Sequence, residues 1–188
     1  MLKSEIRSFY KEKRSGLSPN EIERISSQVQ ALVWDSFSFK DKYVHLFLPI
    51  ERQREINTYG LLEDITKQGG LPVVASSNFS DLSMRLFLYE GESRLTLNNI
   101  GIPEPKNGLE IQAEELDFVF VPLLGLNDKG FRVGYGKGFY DRLLVRCKTE
   151  CVFIGLHLFD EFTQVDDLHE NDIALHMCIT PKGIYNFR

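Results

Sequence analysis

The residues best suited to chemistry lie in one stretch, Gly130-Phe-Arg-Val-Gly-Tyr-Gly-Lys-Gly-Phe-Tyr-Asp141. Gly130, Gly134, Gly136 and Gly138 open backbone angles closed to other residues. They also let amide N–H groups approach a ligand with no Cβ in the way. Arg132 and Lys137 add two cations to the same turn. Successive amides beside a helix start, joined by Arg and Lys, form a cradle for a polyphosphate. A purely structural glycine loop is the alternative, and the charged residues inside the turn weigh against it. Two familiar phosphate loops are excluded by spacing. Gly136-Lys137 is followed by Gly138 where a Walker loop needs Ser or Thr. The run Gly-x-Gly-x-Gly is not the dinucleotide fingerprint.

Such a loop needs a strand before it and a helix after it. The apolar run Asp117–Leu126 predicts a buried strand of the parallel kind. Tyr140, Leu143, Leu144 and Cys147 fall at helical spacing and predict the helix. Further back, residues 2–14 are helical in pattern. Leu2, Ile6, Phe9 and Tyr10 make an expected apolar face, and Lys3, Arg7, Lys11 and Arg14 a basic one. Lys3 and Arg7 are four apart and point the same way; by pattern alone they read as a solvated stripe. Ser18-Pro19-Asn20-Glu21 is a capping box with proline in the first turn, so a second helix runs to about Trp34 or Phe37.

Tyr43–Ile50 predicts the first core strand, with Thr58 capping the helix that follows and Gly69-Gly70 ending it. Glu55, just past that strand, is either a surface loop residue or a ligand-facing carboxylate, since open α/β sheets bind ligands there. Further strands are expected at Leu71–Ser76, Met84–Tyr89, Cys151–Leu158 and Ile173–Thr180. Ile100–Pro105 is extended because residues before proline avoid the α region. His157 reads as a hydrogen-bonded core or rim histidine, and Asp172 as a turn residue before a strand.

Composition fits one soluble domain over residues 1–188: 43% hydrophobic and 26% charged. A formal charge of −5 argues against nucleic-acid binding. No run is long enough to span a membrane, and no signal-peptide core opens the chain, so a cytoplasmic protein is expected. Cys147, Cys151 and Cys178 lack zinc-type spacing and read as buried free thiols. Strands alternating with helices predict an α/β fold, a mostly parallel sheet with helices on both faces.

Arg-x-Gly-x-Gly-x-Gly-aromatic-Tyr-Asp after a strand carrying Val-Pro-x-x-Gly resembles the 5-formyltetrahydrofolate cyclo-ligases, also called 5,10-methenyltetrahydrofolate synthetases. Glu55-Ile-Asn-Thr58, Gly-Ile-x-Glu-Pro around Glu104, and His169-Glu-Asn-Asp172 resemble the same family, so the likeness runs from Lys3 to about Thr180. The resemblance implies a Rossmann-like three-layer fold of the kind found in sugar-phosphate isomerases and CoA transferases. It implies ATP-driven ring closure of 5-formyltetrahydrofolate to 5,10-methenyltetrahydrofolate, with Mg2+, in a monomer. Lys3, Arg7 and the run Arg132, Val133, Gly134, Tyr135, Gly136, Lys137, Gly138, Phe139 and Tyr140 would contact ATP. Arg132 and Lys137 would act in catalysis. Leu48, Glu55 and the loop from Tyr135 to Phe139 would contact the folate. Asp141 and Asp172 would hold the metal. Glu104 would fix its loop or line the folate pocket. A phosphate-ester enzyme of the same architecture that needs no ATP, and a non-catalytic binder, are the rival functions.

Overall fold

The structure is a computed structural model and describes residues 1–99 and 101–187. It contains four α-helices among the described residues: α1 Lys3–Ser15, α2 Pro19–Ser36, α3 Tyr59–Lys67 and α4 Phe139–Leu144. The strands are β1 Tyr43–His45, β2 Leu71–Asn78, β3 Ser83–Leu88, β4 Leu95–Leu97, β5 Pro103–Pro105, β6 Glu110–Ile111, β7 Phe118–Pro122, β8 Gly125–Leu126, β9 Arg132–Val133, β10 Val152–Leu156, β11 Met177–Thr180 and β12 Gly183–Asn186. Eight of them form one sheet in the order β12-β11-β10-β7-β1-β2-β3-β6. The centre, from β11 to β2, is parallel, and β12, β3 and β6 are antiparallel additions at its edges. The mostly parallel sheet is therefore as expected; the edge strand β12 was not.

The alternation of β7 shows why both faces must be covered. Phe120 faces a core built with Val29 and Val33 of α2 and Leu61, Leu62 and Ile65 of α3. Val119 and Val121 face the other core, with Leu143 and Leu144 of α4 and with Ala113 and Leu116. The second face thus carries one short helix plus the chain around residues 111–116. Ser18 and Glu21 form the predicted capping box at α2. The helix predicted to reach Cys147 ends at Leu144, because the next amides tighten to three-residue bonds, Arg146 N–H to Leu143 and Cys147 N–H to Leu144.

Several expectations are corrected. The first core strand stops at His45, not Ile50. Pro49 has no N–H for a ladder, and two nearby side chains take over the backbone groups that leave the sheet. Thr58 Oγ1 donates to the Phe47 carbonyl at 2.5 Å, and Glu55 accepts from Ile50 N–H at 2.8 Å. Thr58 does stand at the N-cap of α3, but its side chain caps nothing there; Asn57 Oδ1 accepts from Tyr59 N–H instead. The apolar face of α1 is also different. Leu2 and Phe9 are 48% and 46% exposed, while Lys3 and Arg14 are 8% and 4% exposed. The buried stripe is Lys3, Ile6, Tyr10 and Arg14, and it lies on Leu124, Val133 and Val165. All three cysteines are free thiols; Cys151 and Cys178 are buried and Cys147 half-buried. Of the extended segment at 100–105, Ile100 lies outside the described residues, and Pro103–Pro105 is strand β5. No helix among the described residues is long and apolar enough to cross a membrane.

Candidate active site

The glycine loop is hung between two anchors. Ahead of it, β8 and β9 pair as a small hairpin, Gly125 opposite Val133 and Leu126 opposite Arg132. Asn127 closes that hairpin, its Oδ1 accepting from the N–H groups of Lys129 and Phe131. Gly130 belongs to this turn. Behind the loop comes α4, whose N-cap is Gly138 with φ +70° and ψ 17°. Gly136 has φ +89°, and a Cβ there would sit 3.1 Å from Arg7 Cζ. Side chains are disfavoured at both positions by the left-handed backbone, and at Gly136 by the guanidinium as well. Among the described residues, no protein acceptor takes a backbone N–H from Tyr135 to Phe139. The loop therefore offers a run of unused donors.

Those donors face a cavity of about 330 Å³ at the carboxyl ends of β1, β7 and β2, where α/β sheets place ligands. The residues expected to contact ATP, folate or metal all line it: Lys3, Arg7, Leu48, Glu55, all of Arg132 to Asp141, and Asp172. Segments more than 100 residues apart thus meet in one cleft. Arg7 Nε donates to the Gly134 carbonyl at 2.8 Å, which fixes α1 to the loop. Lys3 Nζ pairs with Asp172 at 2.5 Å. Lys137 is exposed; the Arg142 guanidinium donates to its carbonyl at 3.1 Å, but among the described residues its ammonium has no hydrogen bond or ion pair. Arg132 is placed differently from Lys137. It is buried, and its guanidinium is engaged by the Ile173 carbonyl and by Asp141, both at 2.8 Å. It anchors the loop to the segment after Asp172.

Asp141 Oδ1 also accepts from Ile173 N–H at 3.3 Å, so Asp141 lies beside the residue that follows Asp172. The Asp172 side chain accepts from Lys3 Nζ and from His169 N–H, both at Oδ2. Among the described residues, Asp141 Oδ2 and Asp172 Oδ1 have no protein donor. Burial pushes Asp172 up, but the His169 N–H and the Lys3 ammonium outweigh it, and the group stays below the usual carboxylate range. Two carboxylates with a free oxygen each suit magnesium, which takes one or two carboxylates and fills its octahedron with phosphate oxygens and water. Among the described residues no cluster of three or more Asp, Glu, His or Cys could bind a metal without such help.

On the opposite wall, Glu55 is buried, with Oε1 accepting from the Tyr135 phenol at 2.6 Å. Burial raises its pKa, against the opposing pull of Tyr135, the Ile50 N–H and Arg14. Four residues that sequence reasoning did not assign also shape the site. His45 Nδ1 faces the Val73 carbonyl at 3.1 Å, so Nδ1 carries the proton and Nε2 accepts from Tyr140 O–H at 3.2 Å. Burial holds this imidazole neutral, with a pKa lowered to about 4. Phe47, two residues on, lines the same cavity; the alternation of a strand reading was the signal available for both. Phe79 meets Phe139 edge to face, centroids 5.2 Å apart, at the cavity wall. Arg14 donates to the Tyr135 phenol at 3.0 Å from outside the cavity. Glu104 accepts from Ser77 N–H and Ser76 O–H and ties β5 to β2; it does not line the cavity, although Ile102 and Pro103 do.

A cation-lined cleft with a loop of free amides, set at the strand ends of an α/β sheet, defines an enzyme that handles phosphate groups. Comparison with known proteins specifies it. Residues 1–181 match the model of the 5-formyltetrahydrofolate cyclo-ligase family. The 5-formyltetrahydrofolate cyclo-ligase of Escherichia coli K12 is 31% identical over 142 residues, 71% of this chain and 75% of that one. The Haemophilus influenzae protein of the same name is 33% identical over 119 residues, and that alignment spans 61% of this chain and 62% of the relative, under two thirds of each. The NMR structure of Aquifex aeolicus 5,10-methenyltetrahydrofolate synthetase superposes with a TM-score of 0.84 at 30% identity, over 100% of this chain and 94% of that one. The chain belongs to the 5-formyltetrahydrofolate cyclo-ligase family. Its class is accordingly that of a ligase of folate metabolism.

Proposed function

We propose that this cleft holds ATP and 5-formyltetrahydrofolate together and closes the folate ring by way of a phosphorylated formyl group. The observation that carries this is the arrangement itself: the unused amides and Lys137 share one cavity with Glu55 and Asp172. An N-formyl carbon is a poor electrophile because amide resonance feeds it electrons. The formyl oxygen attacks the γ-phosphorus of ATP, the bond to the β-phosphate oxygen breaks, and ADP leaves. The formyl group becomes an iminium phosphate. The N10 lone pair then adds to that carbon and N10 gives up its proton. The carbon–oxygen bond breaks and phosphate departs, leaving the 5,10-methenyl cation.

The side chains suit those steps. Phosphoryl transfer needs positioning and charge stabilisation more than covalent help. Lys137 and the amides of the loop stabilise charge on the transferred group. Lys3 and Arg7, held on one face of α1, grip the triphosphate. Arg132 fixes Asp141, and Asp141 and Asp172 would hold Mg2+, which neutralises phosphate charge when bound. Leu48, Glu55 and the rings of Tyr135 and Phe139 form the folate side, Glu55 accepting N–H donors of the reduced pterin.

The test is spectroscopic. Protein, magnesium–ATP and 5-formyltetrahydrofolate are mixed, and the methenyl chromophore is followed with and without ATP. ATP-dependent formation is expected. Turnover of a phosphate ester without ATP, or binding of both ligands with no chromophore, would put one of the rival functions in its place.

A further inference from the structure

Arg14 does not line the cavity, yet it is one of the most buried charges in the protein, at 4% exposure. Its Nη2 donates to the Leu123 carbonyl at 2.5 Å, just past the end of β7, and its Nη1 to the Tyr135 phenol at 3.0 Å. Among the described residues no carboxylate is in ion-pair contact with it. A guanidinium has donors only, so the phenol oxygen is the acceptor in that bond. The phenol proton is left for Glu55 Oε1, at 2.6 Å. Glu55 Oε2 is taken by Ile50 N–H at 2.8 Å. Each bond in the series thus has one possible direction, from the guanidinium to the phenol to the carboxylate.

We propose that Arg14 is a positioning residue for this reaction, holding Glu55 aimed into the cleft through the Tyr135 phenol. The inference rests on the assignment of Glu55 to the folate side of the cavity. A carboxylate presents acceptors only, which matches the N–H donors of a reduced pterin. Burial raises the Glu55 pKa, which favours a form with one oxygen as a donor; the Tyr135 phenol, the Ile50 N–H and the Arg14 charge oppose it. Tyr140 of α4 also faces Glu55, and His45 and Arg52 line the same cavity. Burial and the neighbouring carboxylate keep the Tyr135 phenol protonated far above the usual range. Arg14 thereby joins α1, the end of β7, the glycine loop and the chain after β1 at one point.

Arg14→Met keeps an unbranched apolar stem and removes the guanidinium; Tyr135→Phe removes the phenol oxygen. Loss of one charge-assisted hydrogen bond predicts a fall of about tenfold in kcat/KM for 5-formyltetrahydrofolate in each. The double variant falls no further than the worse single, because both changes cut the same series. In Arg14→Met the KM for magnesium–ATP stays within about twofold of wild type, and Arg14→Lys recovers part of the loss. A carbon-13 titration of the Glu55 carboxyl by NMR shows a higher midpoint in Arg14→Met and in Tyr135→Phe. That readout needs neither substrate nor turnover, so it separates failure of the relay from failure of the folate assignment. An unchanged Glu55 midpoint in both variants, or independent and additive kinetic losses, overturns the proposal. If Arg14→Met does not fold, Tyr135→Phe carries the same titration and the same kinetic comparison.

Discussion

The Lys137 side chain extends from the centre of the glycine loop with no protein partner for its ammonium among the described residues, and its neighbours in the loop leave their amides unused. Lys137→Ala is expected to lower kcat by about a hundredfold to a thousandfold, the usual loss of a preorganised donor to developing charge. Its melting temperature should match wild type, since an exposed and unpaired side chain supports nothing. Near-normal turnover at saturating ATP and folate would refute that role. Asp141→Asn should raise the magnesium concentration needed for half-maximal rate, as one of two free carboxylate oxygens is lost; an unchanged metal titration counts against the assignment. At this scale, what the sequence made legible was the chemistry of clustered residues. Gly136, Lys137 and Gly138 identify themselves by type and spacing. Arg14 and His45 did not, because a buried cation or imidazole is explained only by partners distant in the chain. The partners of Arg14, Leu123 and Tyr135, are 109 and 121 residues away.

Between residues and fold, α1 decides whether the proposed nucleotide side of the cleft exists. It carries Lys3 and Arg7 and rests on the β8–β9 hairpin through Ile6 and Tyr10. The closest approach is at Gly125, where a Cβ would lie 2.6 Å from Ile6 Cγ2 and 2.9 Å from Tyr10 Cε2. Gly125→Ala therefore lifts the helix. The expected cost is about 1–3 kcal/mol, typical of overpacking, with a severalfold rise in KM for ATP and a smaller change for folate. An unaltered ATP KM would show that the seating of α1 does not set the site. The elements themselves were readable in uneven measure. The capping box of α2 is a local signal and lies where the sequence puts it, whereas the run Asp117–Leu126 is split, Phe118–Pro122 entering the main sheet as β7 and Gly125–Leu126 the separate hairpin as β8. The end of β1 was not readable, because side chains of Glu55 and Thr58 replace its ladder beyond His45. Nor was the buried stripe of α1, where hydrophobicity favoured Leu2 and Phe9 but partners in the glycine loop and beyond favour Lys3 and Arg14.

For the molecule as a whole, the sheet brings every part of the site to one end, and burial leaves a pH signature. His45 and His157 are buried and neutral, with pKa values lowered to about 4 and about 3, both chiefly by burial. Above pH 6.5, the ordinary histidine value, the imidazoles are uncharged in folded and unfolded chains alike and stability is full. Below it the unfolded chain takes up protons that the folded chain refuses, so stability falls as pH drops towards 4. His45 alone accounts for up to about 3 kcal/mol of that loss, at roughly 1.4 kcal/mol per pKa unit. His157→Phe should flatten the dependence of melting temperature on pH across that window; an identical slope would mean His157 protonates freely in the fold. The central claim is that the loop delivers the γ-phosphoryl group to the formyl oxygen. Oxygen-18 in the formyl group of 5-formyltetrahydrofolate tests it most directly, by mass analysis of the phosphate released during turnover with unlabelled ATP in unlabelled water. The account predicts the label in inorganic phosphate, one atom per methenyl product. Unlabelled phosphate alongside methenyl product would contradict it.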